Sequence, residues 1–275
     1  MKARVVTGFI AAVGLVALIF RGSPSLVIMV IGLVSAIGVA EFQALFFERK
    51  AGFQLFRMMT MVLLIVISLS FYSPYAGHLV LGLFFLHCLW HLCMTFQHPD
   101  HATSVRNASL EFFGVLYVSS IFGFLNPILS LGVFGRPSLL LLFLIVSLGD
   151  TVAYFAGSAF GRSKIAPHIS PKKTREGAAA ALISSGIVSV IWYFWMYPGA
   201  RNARVAAAIL LVSLLVSLLA QLGDLFESVL KRAQSKKDSG SLLPGHGGVL
   251  DRTDGLAFAA PAFFIFLRYI LEMIQ

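Results

Sequence analysis

The chain has 275 residues, of which 58% are hydrophobic and only 12% are charged. Soluble domains contain about 45–50% apolar and about 25% charged residues, so this composition excludes an ordinary soluble enzyme and indicates a polytopic membrane protein. The formal net charge is +9. Because the cations lie in short loops between apolar runs and form no long basic face, no nucleic acid is expected as a partner. Basic loops that face anionic lipid headgroups account for the charge instead.

Nine apolar runs are long enough, or nearly so, to cross a bilayer as helices of about 20 residues. No small-residue cleavage site follows the first run, so it is expected to be a span rather than a signal peptide. Residues 97–107 are expected to form a polar loop, and the eighth helix is expected to continue into residues 224–234. The predicted spans are Val5–Phe20, Pro24–Phe47, Phe53–Tyr72, Gly77–Phe96, Ser109–Leu131, Ser138–Gly161, Gly177–Tyr197, Ala203–Gly223 and Gly255–Ile274.

The predicted fold is therefore an all-α, polytopic integral membrane protein with about nine transmembrane helices. We group the spans as residues 1–72 (one to three), 73–140 (four and five) and 141–275 (six to nine, with two polar motif segments). Most of the 21 Lys and Arg residues fall at the N-terminus and in the second, fourth, sixth and eighth loops. The positive-inside rule then places the N-terminus and both motif segments in the cytoplasm and the C-terminus on the opposite side. The expected location is the cell's cytoplasmic membrane.

The stretch from Gln221 to Gly255 interrupts the apolar pattern with acids, cations and glycines. Its acids are Asp224, Glu227, Asp238, Asp251 and Asp254. Helical spacing puts four of its polar residues on one face of the predicted eighth helix. These four are Asp224, Glu227, Ser228 and Lys231.

Asp251 and Asp254 stand three residues apart where the ninth helix is expected to begin. The free N–H groups and positive dipole of a helix N-terminus attract phosphate or carboxylate. Helix capping alone is the alternative for either aspartate. It does not account for five acids beside His246, which stands between glycines. We therefore predict metal and phosphate chemistry for this stretch.

A second polar cluster begins inside the sixth span with Asp150, and an ionisable residue in a span is by default a functional hypothesis. Tyr154 follows one helical turn later on the same face. Gly157 and Gly161 continue this face as a small-xxx-small pattern, which favours close helix packing over chemistry. Residues 170–174 form a cationic, hydroxyl-bearing segment that could hold phosphates by charge-assisted hydrogen bonds. An ordinary positive-inside loop remains the alternative for that segment.

The two clusters together resemble a known family. Residues 228–254 read S-x-x-K-R-x4-K-D-x-G-x2-L-P-x-H-G-G-V-x-D-R-T-D, which is similar throughout to the signature of phosphatidate cytidylyltransferases, also called CDP-diacylglycerol synthases. Residues 150–164, D-T-x-A-Y-x2-G-x3-G-R-x-K, and residues 169–177, I-S-P-x-K-T-x-E-G, also resemble that family. The resemblance covers about residues 147–272, whereas the N-terminal half is similar only in being hydrophobic and multi-spanning.

The resemblance implies that CTP and phosphatidic acid react to CDP-diacylglycerol and diphosphate, with Mg²⁺ as cofactor, in phospholipid biosynthesis. It also implies a homodimer, and it does not decide whether a second cation binds beside Mg²⁺. The expected catalytic residues are Asp224, Asp251, Lys231, Arg232 and His246. The expected substrate-binding residues are Asp150, Tyr154, Lys164, Ser170, Lys173, Thr174, Ser228, Lys237, Asp238, Gly247, Gly248 and Arg252. The expected Mg²⁺ ligands are Asp224, Asp251 and Asp254. Since the diacyl tails need not leave the bilayer, we expect the site to open sideways at the cytoplasmic leaflet.

Two other functions stay open from the sequence. A CTP-dependent isoprenoid-lipid kinase or cytidylyltransferase would share the membrane and the nucleotide, but it should lack the full pattern of residues 228–254. An ion-coupled secondary transporter would use Asp150 and Asp224 as coupling residues. Transporters usually show internal repeats and interrupted helices near the bilayer midplane, whereas these acids gather at one face among cations.

Two features of the N-terminal half invite interpretation. His87 and His91 share a face of the fourth span, where we expect a helix–helix hydrogen bond rather than a metal site, with no carboxylate near. Cys88 and Cys93 point elsewhere on that helix. Glu41, near the end of the second span, is expected to line the polar cavity or to sit at its headgroup edge.

Overall fold

The computed structural model describes residues 2–47, 52–70, 75–96, 100–198, 202–240 and 247–274, with side chains described from residue 12 to residue 272. The helices in chain order are α1 (Lys2–Arg21), α2 (Pro24–Phe46), α3 (Gly52–Ser70), α4 (Ala76–Thr95), α5 (His101–Phe122), α6 (Leu125–Leu129), α7 (Gly135–Phe143), α8 (Gly149–Phe160), α9 (Arg175–Met196), α10 (Ala203–Ala233), α11 (Leu250–Thr253) and α12 (Leu256–Ile274). Two short strands, β1 (Lys164–Ala166) and β2 (Ser170–Thr174), lie between α8 and α9.

The described residues form eight helical stretches that are long and apolar enough to cross a membrane, and the shorter apolar stretch Ala12–Arg21 lies in α1. This confirms the predicted all-α polytopic fold. The bounds predicted for the second, third, fourth, seventh and ninth spans differ from the observed helices by a residue or two. The orientation of the termini and the grouping into residues 1–72, 73–140 and 141–275 stay predictions.

The fifth span begins earlier than predicted, so the prediction of a polar loop over residues 97–107 is wrong for its second half. Helix α5 starts at His101, and the Asp100 side chain caps it by accepting a hydrogen bond from Thr103 N at 3.1 Å. Aspartate is among the best N-cap residues because its carboxylate satisfies a free N–H of the first turn. Residues 97–99 lie outside the described part of the chain.

The sixth span also starts earlier, at Gly132, and it is not a regular α-helix throughout. A π-helical turn over Leu144–Leu148 separates α7 from α8 and ends directly before Gly149 and Asp150. Single π-turns inside α-helices are frequent at functional sites, since they shift the face that the following residues present.

The basic segment between the sixth and seventh spans folds into a hairpin where only a loop was expected. Strands β1 and β2 are antiparallel, with Lys164 opposite Thr174 and Ala166 opposite Ser170. Thr174 then becomes the N-cap of α9, because its Oγ1 accepts a hydrogen bond from Gly177 N at 3.2 Å. The hairpin thereby places two lysine-bearing strands beside the start of α9.

Glycines bring α8 and α9 into close contact. A Cβ at Gly157 would lie 2.8 Å from Thr174 Oγ1, and one at Gly177 would lie 2.6 Å from the carbonyl oxygen of Ala153. Gly161 is similarly crowded by Thr174. The packing role predicted for Gly157 and Gly161 is therefore confirmed. This close approach holds the hairpin and the start of α9 against the polar face of α8.

Candidate functional site

A polar cavity of about 770 Å³ lies between α8, the hairpin, the first turn of α9, the C-terminal part of α10 and the residues around α11. Its volume falls in the range of about 300–1,000 Å³ that is usual for small-molecule sites. Carboxylates and cations line it together. The carboxylates are Asp150, Asp224, Asp238, Asp251 and Asp254, and the cations are Lys164, Lys172, Lys173, Lys231 and Arg252. Both motif segments of the sequence therefore contribute to one cavity.

Lys231 joins α10 to α11. Its Nζ lies 2.6 Å from Asp251 Oδ1 and 3.2 Å from Glu227 Oε2, one helical turn away. All three side chains are largely buried, so these contacts are little screened by water. The helical face predicted for Glu227 and Lys231 is therefore confirmed, and it is turned toward Asp251.

Asp251 accepts hydrogen bonds from residues on both sides of residues 241–246, which lie outside the described part of the chain. Its Oδ2 accepts hydrogen bonds from Ser239 N at 2.8 Å, Ser239 Oγ at 3.0 Å and Gly248 N at 2.8 Å. Hydrogen bonds to a carboxylate are about twice as strong as neutral ones. Asp251 therefore fixes the shape of this segment as well as presenting an oxygen to Lys231.

Gly247 and Gly248 are required by this arrangement. Gly247 has a φ of +81°, in the left-handed region that favours glycine, and a Cβ there would lie 2.6 Å from Asp251 Oδ2. A Cβ at Gly248 would overlap Ser239 Oγ and the carboxylate of Glu41. The structure places both glycines beside Asp251, although neither lines the cavity.

Glu41 is the residue whose role sequence reasoning missed. From the C-terminal part of α2 its buried carboxylate accepts hydrogen bonds from Val249 N and Leu250 N, each at 2.9 Å, and from Ser239 Oγ at 3.3 Å. Glu41 is not among the residues that line the cavity. An acid in an apolar span was the only available signal, and it could not reveal partners so far along the chain.

Lys236 supplies a second link between the N-terminal half and the motif. Its Nζ donates hydrogen bonds to the carbonyl oxygens of Ala44 at 2.7 Å and Leu45 at 3.3 Å, in the last turn of α2. A cation at a helix C-terminus is favoured by the helix dipole and satisfies carbonyl groups without helical partners. The end of α2 thus anchors residues on both sides of Ser239.

Lys173 of β2 links the hairpin to α10 through a 2.5 Å contact between its Nζ and Asp224 Oδ2. Both side chains are about a quarter exposed. Asp150 of α8 stands near enough to interact electrostatically with Asp224, Lys173 and Arg252. The hairpin, α8 and α10 therefore meet at alternating charges on the cavity wall.

Asp254 of the cavity lining and Glu227, which is not a lining residue, form a buried pair of carboxyl groups. Asp254 Oδ1 accepts a hydrogen bond from Gly255 N at 2.7 Å, and Asp224 and Asp150 also lie close to Asp254. The carboxyl groups of Glu227 and Asp254 lie within hydrogen-bonding reach of each other. Mg²⁺ prefers oxygen ligands and is usually held by one or two carboxylates together with substrate phosphates. Asp224 and Asp254 of the cavity lining supply such carboxylates, so their chemistry fits this ion.

Not every predicted site residue reaches the cavity. Arg232 donates to the carbonyl oxygens of Ile169 at 3.4 Å and Lys236 at 3.0 Å, so it ties the hairpin turn to the end of α10. Ser170, Ser228 and Lys237 are also absent from the lining. Tyr154, Lys164, Thr174, Asp238 and Arg252 do line it, as do Lys172 and Gln221, which were not predicted. His246 lies outside the described residues.

The fold and the cavity together define a class: helical membrane proteins with a polar cavity that is lined by both carboxylates and cations. The sequence pattern described as the Cytidylyltransferase family matches residues 2–270. The chain belongs to the cytidylyltransferase family.

Three relatives illustrate how this chain matches the family. A protein of Thermotoga maritima named phosphatidate cytidylyltransferase is 32% identical over 281 residues, which cover 99% of this chain and 97% of the relative. Proteins with the same name from Haemophilus influenzae and Brucella abortus are 40% and 45% identical over 133 and 136 residues. Those two matches cover 48% of this chain and 46% and 47% of the relatives, so the chain spans about half the length of each.

Proposed function

We propose that this protein transfers the cytidylyl group of CTP to phosphatidic acid, forming CDP-diacylglycerol and diphosphate. The observation that carries the proposal is the meeting of both motif segments in one cavity with five carboxylates and five cations. The name of the Thermotoga maritima relative, which matches along 97% of its length, supports the same substrates. Location in the cytoplasmic membrane and a homodimer remain predictions.

The reaction joins two polyanions. An oxygen of the lipid phosphate attacks the α-phosphorus of CTP, and the bond from that phosphorus to the β-phosphate oxygen breaks, so that diphosphate leaves with the electron pair. The lipid phosphate monoester is already largely ionised at neutral pH, since its second pKa is about 6. No strong general base is therefore needed, and the main barrier is electrostatic.

The lysines that line the cavity would lower that electrostatic barrier by neutralising phosphate charge. Lys173 and Lys231 are held in place by Asp224 and Asp251 through contacts of 2.5 and 2.6 Å, so their ammonium groups are oriented before substrate arrives. Preorganised charges stabilise a transition state without the cost of rearranging solvent. Lys164, Lys172 and Arg252 on the same lining would bind the remaining phosphate oxygens.

Asp224, Asp251 and Asp254 are the residues proposed to hold Mg²⁺, with Asp150 beside them. Mg²⁺ bound there would neutralise the charge that develops on the leaving diphosphate. Lys231 already contacts Asp251, so it would share that carboxylate and keep its orientation.

Phosphatidic acid is proposed to enter sideways from the cytoplasmic leaflet. Tyr154 of α8 lines the cavity and is 66% exposed, and the neighbouring Phe155 and Phe160 are exposed as well. This apolar, exposed side of α8 suits contact with acyl chains, while the headgroup reaches Asp150, Lys173 and their neighbours. The lipid tails then stay in the bilayer throughout the reaction.

Incorporation of labelled CTP into lipid tests this function. Purified protein with phosphatidic acid and Mg²⁺ should form labelled lipid, and chelation of Mg²⁺ should stop it. Asp224→Asn and Asp251→Asn should each lower the rate by at least about 100-fold, the scale for removing one preorganised charged contact. Asp100→Asn is the matched control, because that aspartate caps α5 and is not among the lining residues of the cavity, and asparagine caps a helix equally well.

The proposal predicts that this control keeps the normal rate while both cavity variants lose it. Full incorporation by both Asp224→Asn and Asp251→Asn would contradict the assignment of the site. Absence of incorporation with every lipid phosphate would contradict the activity itself and favour a transporter.

A further inference from the structure

Another polar cluster, formed by Arg57, His87, His91 and Glu111, lies between α3, α4 and α5 and is separate from the cavity described above. It borders a cavity of about 290 Å³ whose lining shares no residue with the larger one. Phe53, Arg57, Trp90, His91 and Glu111 are among its lining residues. None of them has a part in the proposed transfer.

Two imidazoles and a carboxylate converge in this cluster. His87 and His91 lie one turn apart on α4, and Glu111 reaches them from α5. Glu111 Oε2 lies 3.3 Å from His91 Nε2 and 4.0 Å from His87 Nδ1, and the three ligand atoms all lie within 4.8 Å of one another. The expectation that no carboxylate stands near these histidines was therefore wrong, because α5 supplies one from another helix.

His87 is oriented as a ligand. Its Nε2 lies 2.9 Å from the carbonyl oxygen of Ala108, which only accepts, so in the neutral imidazole Nε2 carries the proton and Nδ1 carries the lone pair. Nδ1 is buried and has no hydrogen-bond partner among the described residues. Donation of the other ring N–H to a backbone carbonyl is the usual support of a metal-bound histidine. The predicted helix–helix hydrogen bond is confirmed, and it leaves the lone pair of Nδ1 directed at the cluster.

Arg57 occupies the centre of the cluster. Its NH2 group forms an ion pair with Glu111 and lies 3.3 Å from His91 Nε2. The guanidinium also lies over the Trp90 ring at 5.1 Å, beside the small cavity. Its Nε and NH1 are buried without hydrogen-bond partners among the described residues. The cluster therefore already binds one cation, the guanidinium of Arg57. Two nitrogens of this group lack hydrogen-bond partners among the described residues, and the small cavity lies beside it.

We propose that His87 Nδ1, His91 Nε2 and Glu111 form a binding site for a divalent transition-metal ion of the Zn²⁺ class, and that Arg57 fills this site when the metal is absent. Two imidazole nitrogens and one carboxylate are a common zinc ligand set, with a fourth position left for water. Metal binding would move Arg57 toward the small cavity. Only 11% of the apolar stretch of α4 is buried, so a metal ion that ties α4 to α5 would stabilise a weakly packed helix.

Zn²⁺ binding to the full-length protein tests this site without any measurement of activity. The protein is purified in detergent, stripped of metal, and carries Cys88→Ser and Cys93→Ser so that its two free thiols do not bind zinc. Excess Mg²⁺ competes with Zn²⁺ for the carboxylates of the larger cavity. Equilibrium dialysis measures bound Zn²⁺, and the visible spectrum of bound Co²⁺ reports nitrogen and oxygen ligands in a tetrahedral site.

The expected result is one equivalent of Zn²⁺ that is lost in His87→Ala and in His91→Gln. Arg57→Gln should bind about tenfold more tightly, because the competing cation is gone. His78→Ala is the matched control, since His78 is an exposed histidine of the same helix. Equal thermal unfolding of all metal-free variants shows that they remain folded.

Stoichiometric binding that survives His87→Ala and His91→Gln would place the metal elsewhere and overturn the proposal. No binding by the protein with an intact Arg57 would also overturn it, because the guanidinium would then be the permanent occupant.

Discussion

Glu41 is a buried carboxylate of α2 whose partners at Ser239, Val249 and Leu250 lie 198 to 209 residues further along the chain. It holds the backbone that carries Asp251 without lining the cavity itself. The sequence marked Glu41 only as an acid in a span, since pairing over such a separation is a property of the fold. A single side chain thus connects the N-terminal half to the candidate site.

Glu41→Gln should slow the reaction by weakening this support. The amide keeps the size of the carboxylate, but it loses the charge and turns an NH₂ group toward backbone N–H donors. Hydrogen bonds to a charged group contribute about 1.5–3 kcal/mol each, so the segment at 249–250 should open more often. Hydrogen exchange at these amides, measured together with kcat, checks the prediction.

The control for this variant is Glu272→Gln, which removes the acid of an exposed ion pair with Arg268 near the C-terminus. Surface changes of this kind usually alter stability by less than about 0.5 kcal/mol. If Glu41→Gln reduced kcat with unchanged exchange at residues 249–250, the positioning role would be wrong.

Among the elements, the hairpin and the first turns of α5 were not predicted from the sequence. Strands of three and five residues leave no usable alternation, and β2 contains Pro171 and two lysines, which are poor strand signals. The start of α5 is polar, so hydropathy alone excluded it from the span, although Asp100 is a recognisable cap. In contrast, long apolar helices such as α10 were predicted nearly to their ends, because their hydrophobicity depends on the bilayer rather than on tertiary contacts.

The contact between α8 and α9 leads to a prediction at the scale of these helices. Gly177→Ala would place a Cβ 2.6 Å from the carbonyl oxygen of Ala153, and backbone atoms cannot yield easily. Overpacking of this kind costs about 1–3 kcal/mol. We expect a lower midpoint of thermal unfolding in detergent and a lower rate, since Gly177 also lines the cavity.

Gly82→Ala is the matched control, because a Cβ on that glycine of α4 would meet nothing within 4 Å. Alanine is favoured over glycine in a helix by roughly 1 kcal/mol, so this change should be neutral or slightly stabilising. Equal unfolding midpoints for the two variants would show that the close approach of α8 and α9 is not needed.

For the whole molecule, composition and loop charge predicted the class of fold and a two-part site, and the cavity joins both motif segments. The sequence did not show which polar residues line the cavity, because that depends on how the helices and the hairpin pack. Arg232 binds backbone carbonyls outside the cavity, whereas Lys172, not predicted, lines it. A helical period shows which residues share a face, but it does not show which neighbouring element covers that face.

Sidedness is a prediction about the whole molecule. The distribution of lysine and arginine places the motif segments in the cytoplasm, and CTP does not cross a bilayer. Sealed inside-out membrane vesicles should therefore incorporate added CTP into lipid, whereas sealed right-side-out vesicles should do so only after permeabilisation. Equal rates in both kinds of sealed vesicle would contradict the predicted orientation.

The position of the label in CTP tests nucleotidyl transfer most directly. Purified protein, phosphatidic acid and Mg²⁺ are incubated with CTP labelled either at the α-phosphate or at the γ-phosphate, and the lipid product is extracted and counted. Attack at the α-phosphorus predicts that only the α-label enters the lipid and that the γ-label is released as diphosphate. Label from the γ-phosphate in the lipid would contradict this account and show a CTP-dependent lipid kinase.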